Sequence, residues 1–276
     1  MLKGVNQWCF PEGTPLQQVF AISREAGYDA VELNVNPLGG VGLTMETTAA
    51  EAEAIGRLAN EYDIQLRSLS TSLLWQTPLS SADASVREQG RRVVEKQLAL
   101  AELIGMDTVL VVPGAVNEHT SYDVCYDRSH AELALLAKEA EKRRVRIGIE
   151  NVWNKFLLSP LEMRAYVDAV QSPNVGVYFD VGNILHNGYP EQWIKILGSR
   201  IVKVHVKDYR PSVGTGHGFV PLLSGNVNWT AVRNALQEIG YTDTLTAEVE
   251  IYAEGPLQTV YDTSRHLDII LGGVPR

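Results

Sequence analysis

The 276-residue sequence is poor in cysteine, in positive charge and in long apolar runs. It has two cysteines, Cys9 and Cys125, with no C-x-x-C pair, which excludes a disulfide scaffold and suits a reducing, cytoplasmic setting. Lysine and arginine total 24 against 33 acidic residues, a formal net charge of −9. A protein built to neutralise nucleic acid phosphates needs a basic stripe, so no nucleic acid partner is expected. No apolar run approaches the ~18 residues of a membrane span. The opening MLKGVNQWCFPEG lacks the apolar stretch of a secretory signal. There is no low-complexity segment and no linker. What is present is ordinary for a soluble globular chain: 45% hydrophobic and 21% charged residues. At this length roughly 75% of the unfolded surface is buried on folding, enough for a large core.

Short apolar runs alternate with longer amphipathic stretches along the whole chain. The pattern predicts strands over 2–8, 30–34, 64–70, 108–112, 145–151, 175–180, 201–206 and 245–251. Helices are predicted over 15–26, 47–62, 82–104, 122–143, 160–170, 190–197, 227–239 and 257–271. Glycine ends three of these helices, at Gly27, Gly105 and Gly240, where a left-handed cap is wanted. Strict β/α alternation implies parallel strands with crossover helices. Eight such units in this length, with no segment reading as an edge strand, predict one α/β domain over 1–276, a closed (β/α)8 TIM barrel.

Such barrels keep their chemistry at the C-terminal mouths of the strands. Four successive predicted strands end there in metal-ligand residue types: Glu150, Asp180, His205 and Glu248. One such residue alone reads as a helix cap or a surface group. Four on neighbouring strands converge, and three carboxylates brought together resist ionisation unless a cation joins them. Carboxylate oxygens with one imidazole suit one divalent ion, Mn2+ first, with Mg2+, Co2+ or Zn2+ as alternatives. Glu250 shares strand parity with Glu248, so pattern alone does not choose between them. Lys203 shares parity with His205 and points into the barrel if the strand is regular; either a bulge turns it outward or it pairs with a carboxylate. Lys207 is the cation best placed for a substrate oxygen or phosphate, its plain alternative being a salt bridge to Asp208. Trp8, Trp75 and Trp153 follow strands one, three and five and offer aromatic walls to the apolar face of a ring or a carbon chain. His186 reads as a solvent-facing loop histidine. His217 lies in the glycine-rich loop VGTGHG, flexible enough to close over a ligand or to bind a phosphate through backbone N–H groups.

The segments GYDAVELN (27–34), GIEN (148–151), FDVGN (179–183), HVKD (205–208), GNVNW (225–229) and LTAEVE (245–250), in this order, resemble the xylose isomerase-like TIM barrel family of sugar isomerases and epimerases. Ketose 3-epimerases and ribulose or xylulose phosphate 3-epimerases are its nearest enzymatic patterns. The resemblance implies that Glu150, Asp180, His205 and Glu248 are the metal ligands and that Glu150 and Glu248 are the acid–base pair. It implies proton transfer through a metal-stabilised cis-enediolate, giving C3 epimerisation or aldose–ketose isomerisation of a sugar or sugar phosphate. It also makes Glu32, Asn183, Lys207, Arg210, Trp8, Trp153 and His217 candidates for substrate binding, with Glu32 facing the site and a structural hydrogen-bonding role as its equal alternative. The sequence departs from the epimerases at Asn183, where a histidine is common, and Arg210 stands one residue off the usual arginine. Other functions on this barrel are a keto-inositol dehydratase or isomerase, an apurinic-site endonuclease, which needs more histidine than the six here, and a sugar-binding barrel without catalysis. Members of such families often pair, so a homo-oligomer is compatible with this reading.

Overall fold

The computed structural model describes residues 1–273. Eight parallel strands form the barrel: β1 Leu2–Asn6, β2 Ala30–Asn36, β3 Gln65–Thr71, β4 Thr108–Val111, β5 Arg146–Glu150, β6 Val175–Asp180, β7 Ile201–Val206 and β8 Thr244–Ala247. Each pairs with its sequence neighbours, and β1 pairs with both β2 and β8, so the sheet closes and leaves no edge. The crossover helices are α1 Leu16–Glu25, α2 Ala49–Glu61, α3 Ala84–Ile104, α4 Tyr122–Arg143, α5 Pro160–Ala169, α6 Pro190–Leu197, α7 Trp229–Glu238 and α8 Gln258–Ile270. The (β/α)8 expectation holds element by element. No helix among the described residues is long and apolar enough to cross a membrane.

Local chemistry sets the ends. Thr48 and Glu51 form a reciprocal capping box on α2, and Gly105 ends α3 at φ +87°. Two strands stop earlier than their apolar pattern predicted. Asn6 accepts a 2.7 Å hydrogen bond from the Trp8 N–H and turns β1 into a short 3-10 turn. Strand β8, predicted to reach residue 251, leaves the sheet after Ala247; the Glu248 N–H still bonds to the Val206 carbonyl, but the Val249 N–H donates to Cys9 Sγ instead.

The apolar core lies between sheet and helices, where Ile147, Ile149, Val177, Phe179, Val204 and Val206 face outward from their strands. The barrel interior is largely polar. Asn6, Glu32, Asn34, Ser68, Ser70, Tyr178, Lys203 and His205 are all buried there. The β6–β7 register shifts by one residue: Val177 pairs with Ile201 but Tyr178 with Lys203, so Val202 is extra. That bulge aligns Asp180 with His205 and leaves Lys203 inside the barrel. Lys203 is fully buried and reaches Asp243 Oδ2 at 2.5 Å and Asp107 Oδ1 at 2.9 Å. The parity argument therefore resolves to a carboxylate-paired lysine at the N-terminal end of the barrel.

Candidate metal centre and active site

One ligand atom from each of Glu150, Asp180, His205 and Glu248 lies within 4.8 Å of the other three. Glu150 and Asp180 are the last residues of β5 and β6, His205 is the penultimate residue of β7, and Glu248 is the first residue beyond β8. Glu250 lies outside the cluster and is exposed, because the chain has already left the sheet. The choice that parity left open thus falls to Glu248 through a backbone turn. Cys9 helps make that turn. Its Sγ lies 3.4 Å from the Ala247 carbonyl and accepts from the Val249 N–H at 3.3 Å, bracketing Glu248 on both sides.

The imidazole is fixed from below. His205 Nε2 hydrogen-bonds Glu32 Oε1 at 2.6 Å, and Glu32 in turn accepts from Asn6 Nδ2, Ser68 Oγ and the Tyr178 hydroxyl. With Nε2 engaged, Nδ1 faces the cluster, 3.4 Å from Glu248 Oε2 and 3.6 Å from Glu150 Oε1, without a hydrogen bond to either. A carboxylate behind a histidine, orienting the ring so that its other nitrogen binds a metal, is a recurrent arrangement in metalloenzymes. Asp180 is also half used. Oδ1 accepts from the Asn183 N–H at 2.7 Å, while Oδ2 is buried and accepts no hydrogen bond, although Lys207 Nζ stands 3.1 Å away as an ion-pair contact. Two buried polar atoms without hydrogen bonds, Asp180 Oδ2 and His205 Nδ1, belong to one group of three carboxylates and an imidazole. That donor set fits a divalent cation that accepts oxygen and nitrogen ligands.

The electrostatics point the same way. Burial, with the charge of Glu248 added, pushes Glu150 up to about 7. Burial also raises Asp180. For Glu248 burial works upward but is outweighed by the Lys207 ammonium and His205, which hold it far below the usual carboxylate range. Burial opposes a charge on His205, yet the Glu32 and Glu248 carboxylates raise it well above its ordinary value. A field that favours a proton this strongly also attracts a metal cation. Lys207 sits at the edge of the group, 2.6 Å from Glu248 Oε2. It can lie there because residue 182 is glycine: a Cβ on Gly182 would collide with the Lys207 side chain and carbonyl.

The family profile described as xylose isomerase-like TIM barrel matches residues 20–268. The chain belongs to this family. Among its relatives is a protein of Escherichia coli K12, provisionally named an L-ribulose-5-phosphate 3-epimerase, 25% identical over 242 residues, covering 83% of this chain and 81% of the relative. The L-ribulose-5-phosphate 3-epimerase of Salmonella typhi is 23% identical over 247 residues, covering 86% and 83%. Among solved structures, a D-psicose 3-epimerase in the presence of D-fructose superposes with a TM-score of 0.82 at 18% identity, covering 99% of this chain and all of that one. The structural likeness establishes the shared barrel.

Against this family frame, the other residues singled out in the sequence fall into three groups. Trp8 and Lys207 line a cavity of about 450 Å3 next to Glu248. Asn183 and Trp153 line a neighbouring cavity of about 300 Å3 and are tied together: Trp153 Nε1 donates to the Asn183 carbonyl, and Asn183 Nδ2 donates to the Asn151 carbonyl. Glu32 takes the structural of its two expected roles, and Arg210 and His217 are not among the walls of the cavity beside Glu248. Glu32 is buried beneath His205 with its carboxylate consumed by hydrogen bonds, so it orients the imidazole instead of meeting substrate. Arg210 and His217 are exposed on the loop around Pro211, and Arg210 Nε is tied to the Ser224 carbonyl. Trp75 is exposed and is not among the walls of the cavity beside Glu248.

The proposed Lys207–Asp208 salt bridge is replaced by something the sequence did not reveal. Asp208 accepts from the backbone N–H groups of Tyr209, Gly225 and Val227 and from Trp229 Nε1. It thereby joins the HVKD and GNVNW segments, read separately in the sequence, into one unit. Gly225 permits this, since a Cβ there would strike the Asp208 carboxylate. The same loop returns Phe219 against Trp153, with ring centroids 5.1 Å apart, and Tyr209 and His186 complete the aromatic group. His186, read as solvent-facing, is exposed but packs on Trp153. No spacing rule would have found Phe219 or Tyr209, because a loop places them.

Proposed function

We propose that the chain is a divalent-metal-dependent epimerase of a ketose or ketose phosphate, acting at C3, with aldose–ketose isomerisation as the neighbouring outcome of the same proton chemistry. The observation that carries the reading is the grouping of Glu150, Asp180, His205 and Glu248 within 4.8 Å, with two glutamates in one small volume. The named activities of the relatives support it. The ligands would be Glu150, Asp180, His205 Nδ1 and Glu248, and a bound ion would supply the positive charge that favours ionisation of a carbon acid beside a carbonyl.

The chain's own residues do the rest. Epimerisation needs one group to take the C3 proton and another to return one, and Glu150 and Glu248 are the two carboxylates available for it. Glu32 keeps the His205 ring in one orientation. Lys207 holds Glu248 in its ionised form and stands within reach of a substrate oxygen. Trp8 and Phe219 offer flat apolar surface to the sugar's C–H face and displace water from the reacting end. The reading takes the chain, 1–276, as one catalytic domain in the cytoplasm, with Mn2+ as the working ion, a small sugar as partner and no role for nucleic acid or membrane.

The test is solvent exchange. The protein supplied with Mn2+ and a panel of free and phosphorylated ketoses in deuterated water should place deuterium at C3 and yield the 3-epimer by NMR. Release of water from the substrate, or deuterium confined to C1, would replace this assignment with a dehydratase or an isomerase.

A further inference from the structure

The relatives divide on one property of the substrate. Those alike in sequence are named for phosphorylated sugars, whereas the solved barrel described above is named for a free sugar. The cavity beside Glu248 bears on the choice. Its described walls include Trp8, Phe219, Pro221, Glu250, Ile251 and Tyr252. Lys207 is the one cation among those walls, and it serves the metal end, 2.6 Å from Glu248 Oε2 and 3.1 Å from Asp180 Oδ2. Toward solvent the charge is of the other sign, since Glu250 is exposed there between the half-exposed Ile251 and Val249.

The remaining nearby cations are directed elsewhere. Arg210 is bound to the Ser224 carbonyl and is not a wall residue, and His217 is exposed on the outer loop. Lys155 lines the neighbouring cavity, which the Trp153–Phe219 contact divides from this one. A phosphate dianion is held by arginine forks, lysines or the N–H groups of a helix N-terminus. Aromatic and aliphatic walls with one acidic group suit the opposite ligand, an uncharged polyol that stacks its C–H face and donates a hydroxyl to the carboxylate. Resting on the epimerase reading, we infer that the substrate is a sugar without phosphate: an uncharged ketose or ketose derivative whose C–H face lies between Trp8 and Phe219 and whose far end meets Glu250.

Matched pairs decide it. With Mn2+ present, L-ribulose against L-ribulose 5-phosphate, and D-psicose against its 6-phosphate, are compared by kcat/KM with NMR detection. The free sugar of the preferred pair should lead by about tenfold or more. Millimolar inorganic phosphate should neither bind by calorimetry nor inhibit. Glu250→Gln should narrow the gap by lowering KM for the phosphorylated form and raising KM for the free sugar. A higher kcat/KM for the phosphates, reduced by Lys155→Ala, would overturn the inference and place the phosphate in the neighbouring cavity, with the epimerase reading intact. Failure of solvent deuterium to enter any of the four sugars would overturn the epimerase reading and this inference with it.

Discussion

The two ends of the barrel each hold a lysine from the same stretch of chain, and they use it in opposite ways. At the N-terminal end Lys203 is enclosed by Asp107 and Asp243, which also pair with Arg67, and Asp107 with Arg146. Three cations meet two carboxylates there, and the charges are satisfied within the protein. At the C-terminal end Lys207 faces Asp180 and Glu248, with Glu150 and Glu32 close by and His205 in their midst. Four carboxylates there meet one lysine and one imidazole, and two buried polar atoms accept no hydrogen bond. The lesson is that burial of charge does not by itself mark a site. A network in which every carboxylate has its cation plugs the barrel, while a network with surplus negative charge and unused ligand atoms is built to receive a cation.

Breaking the C-terminal end should give the largest effects. Glu150→Gln and Glu248→Gln should each lower kcat by about a thousandfold or more, the scale of a lost acid or base, while circular dichroism and Tm stay near those of the parent. Full turnover in either variant would remove that residue from the proton-transfer role. Chelation should abolish activity, with recovery on addition of Mn2+ or Co2+. One layer further out, Glu32→Gln should weaken metal affinity by about 10–100-fold, as loss of a carboxylate behind a metal-binding histidine does, and calorimetric titration of the ion reads this directly.

The N-terminal end should respond in stability alone. Lys203→Met leaves Asp107 and Asp243 short of a partner and should cost about 3 kcal/mol, at the low end for a broken buried pair because Asp107 is partly open to water and both carboxylates keep an arginine. Urea unfolding measures it, and kcat of the folded fraction should not change. The smallest effect is one of pH. Burial alone would raise the Asp243 carboxyl, but the Arg67 hydrogen bond and the Lys203 charge pull it down to about 2. A carboxyl depressed on folding adds stability that is complete above its unfolded pKa near 3.8 and disappears as pH falls to about 2. Asp243→Asn should flatten the acid limb of the stability profile over that window; an unchanged limb would show that this network is not what acid titrates.

How much of this was legible in the sequence follows from periodicity. Strand parity and β/α alternation are local, so eight units and the mouth residues Glu150, Asp180 and His205 could be read from the chain, whereas Lys203 stayed open between an outward bulge and a carboxylate partner. The choice between Glu248 and Glu250 could not, because it depends on Cys9, about 240 residues away, drawing the Val249 N–H out of the sheet. The course of the loop that carries Arg210 and His217 was not legible either, because Asp208 sets it by holding Gly225, Val227 and Trp229. Glu32 was correctly seen to face inward, but its depth in the barrel, and hence its role under His205, depends on the register of β2 against neighbouring strands.

The central claim is that Glu150, Asp180, His205 and Glu248 hold one divalent ion. Titration of the purified, metal-stripped protein with Mn2+, followed by electron paramagnetic resonance, tests it most directly. One ion should bind per chain, and Asp180→Ala and His205→Ala should each abolish that binding while the barrel stays folded. Undiminished one-to-one binding in an Asp180→Ala/Glu248→Ala double variant would contradict it.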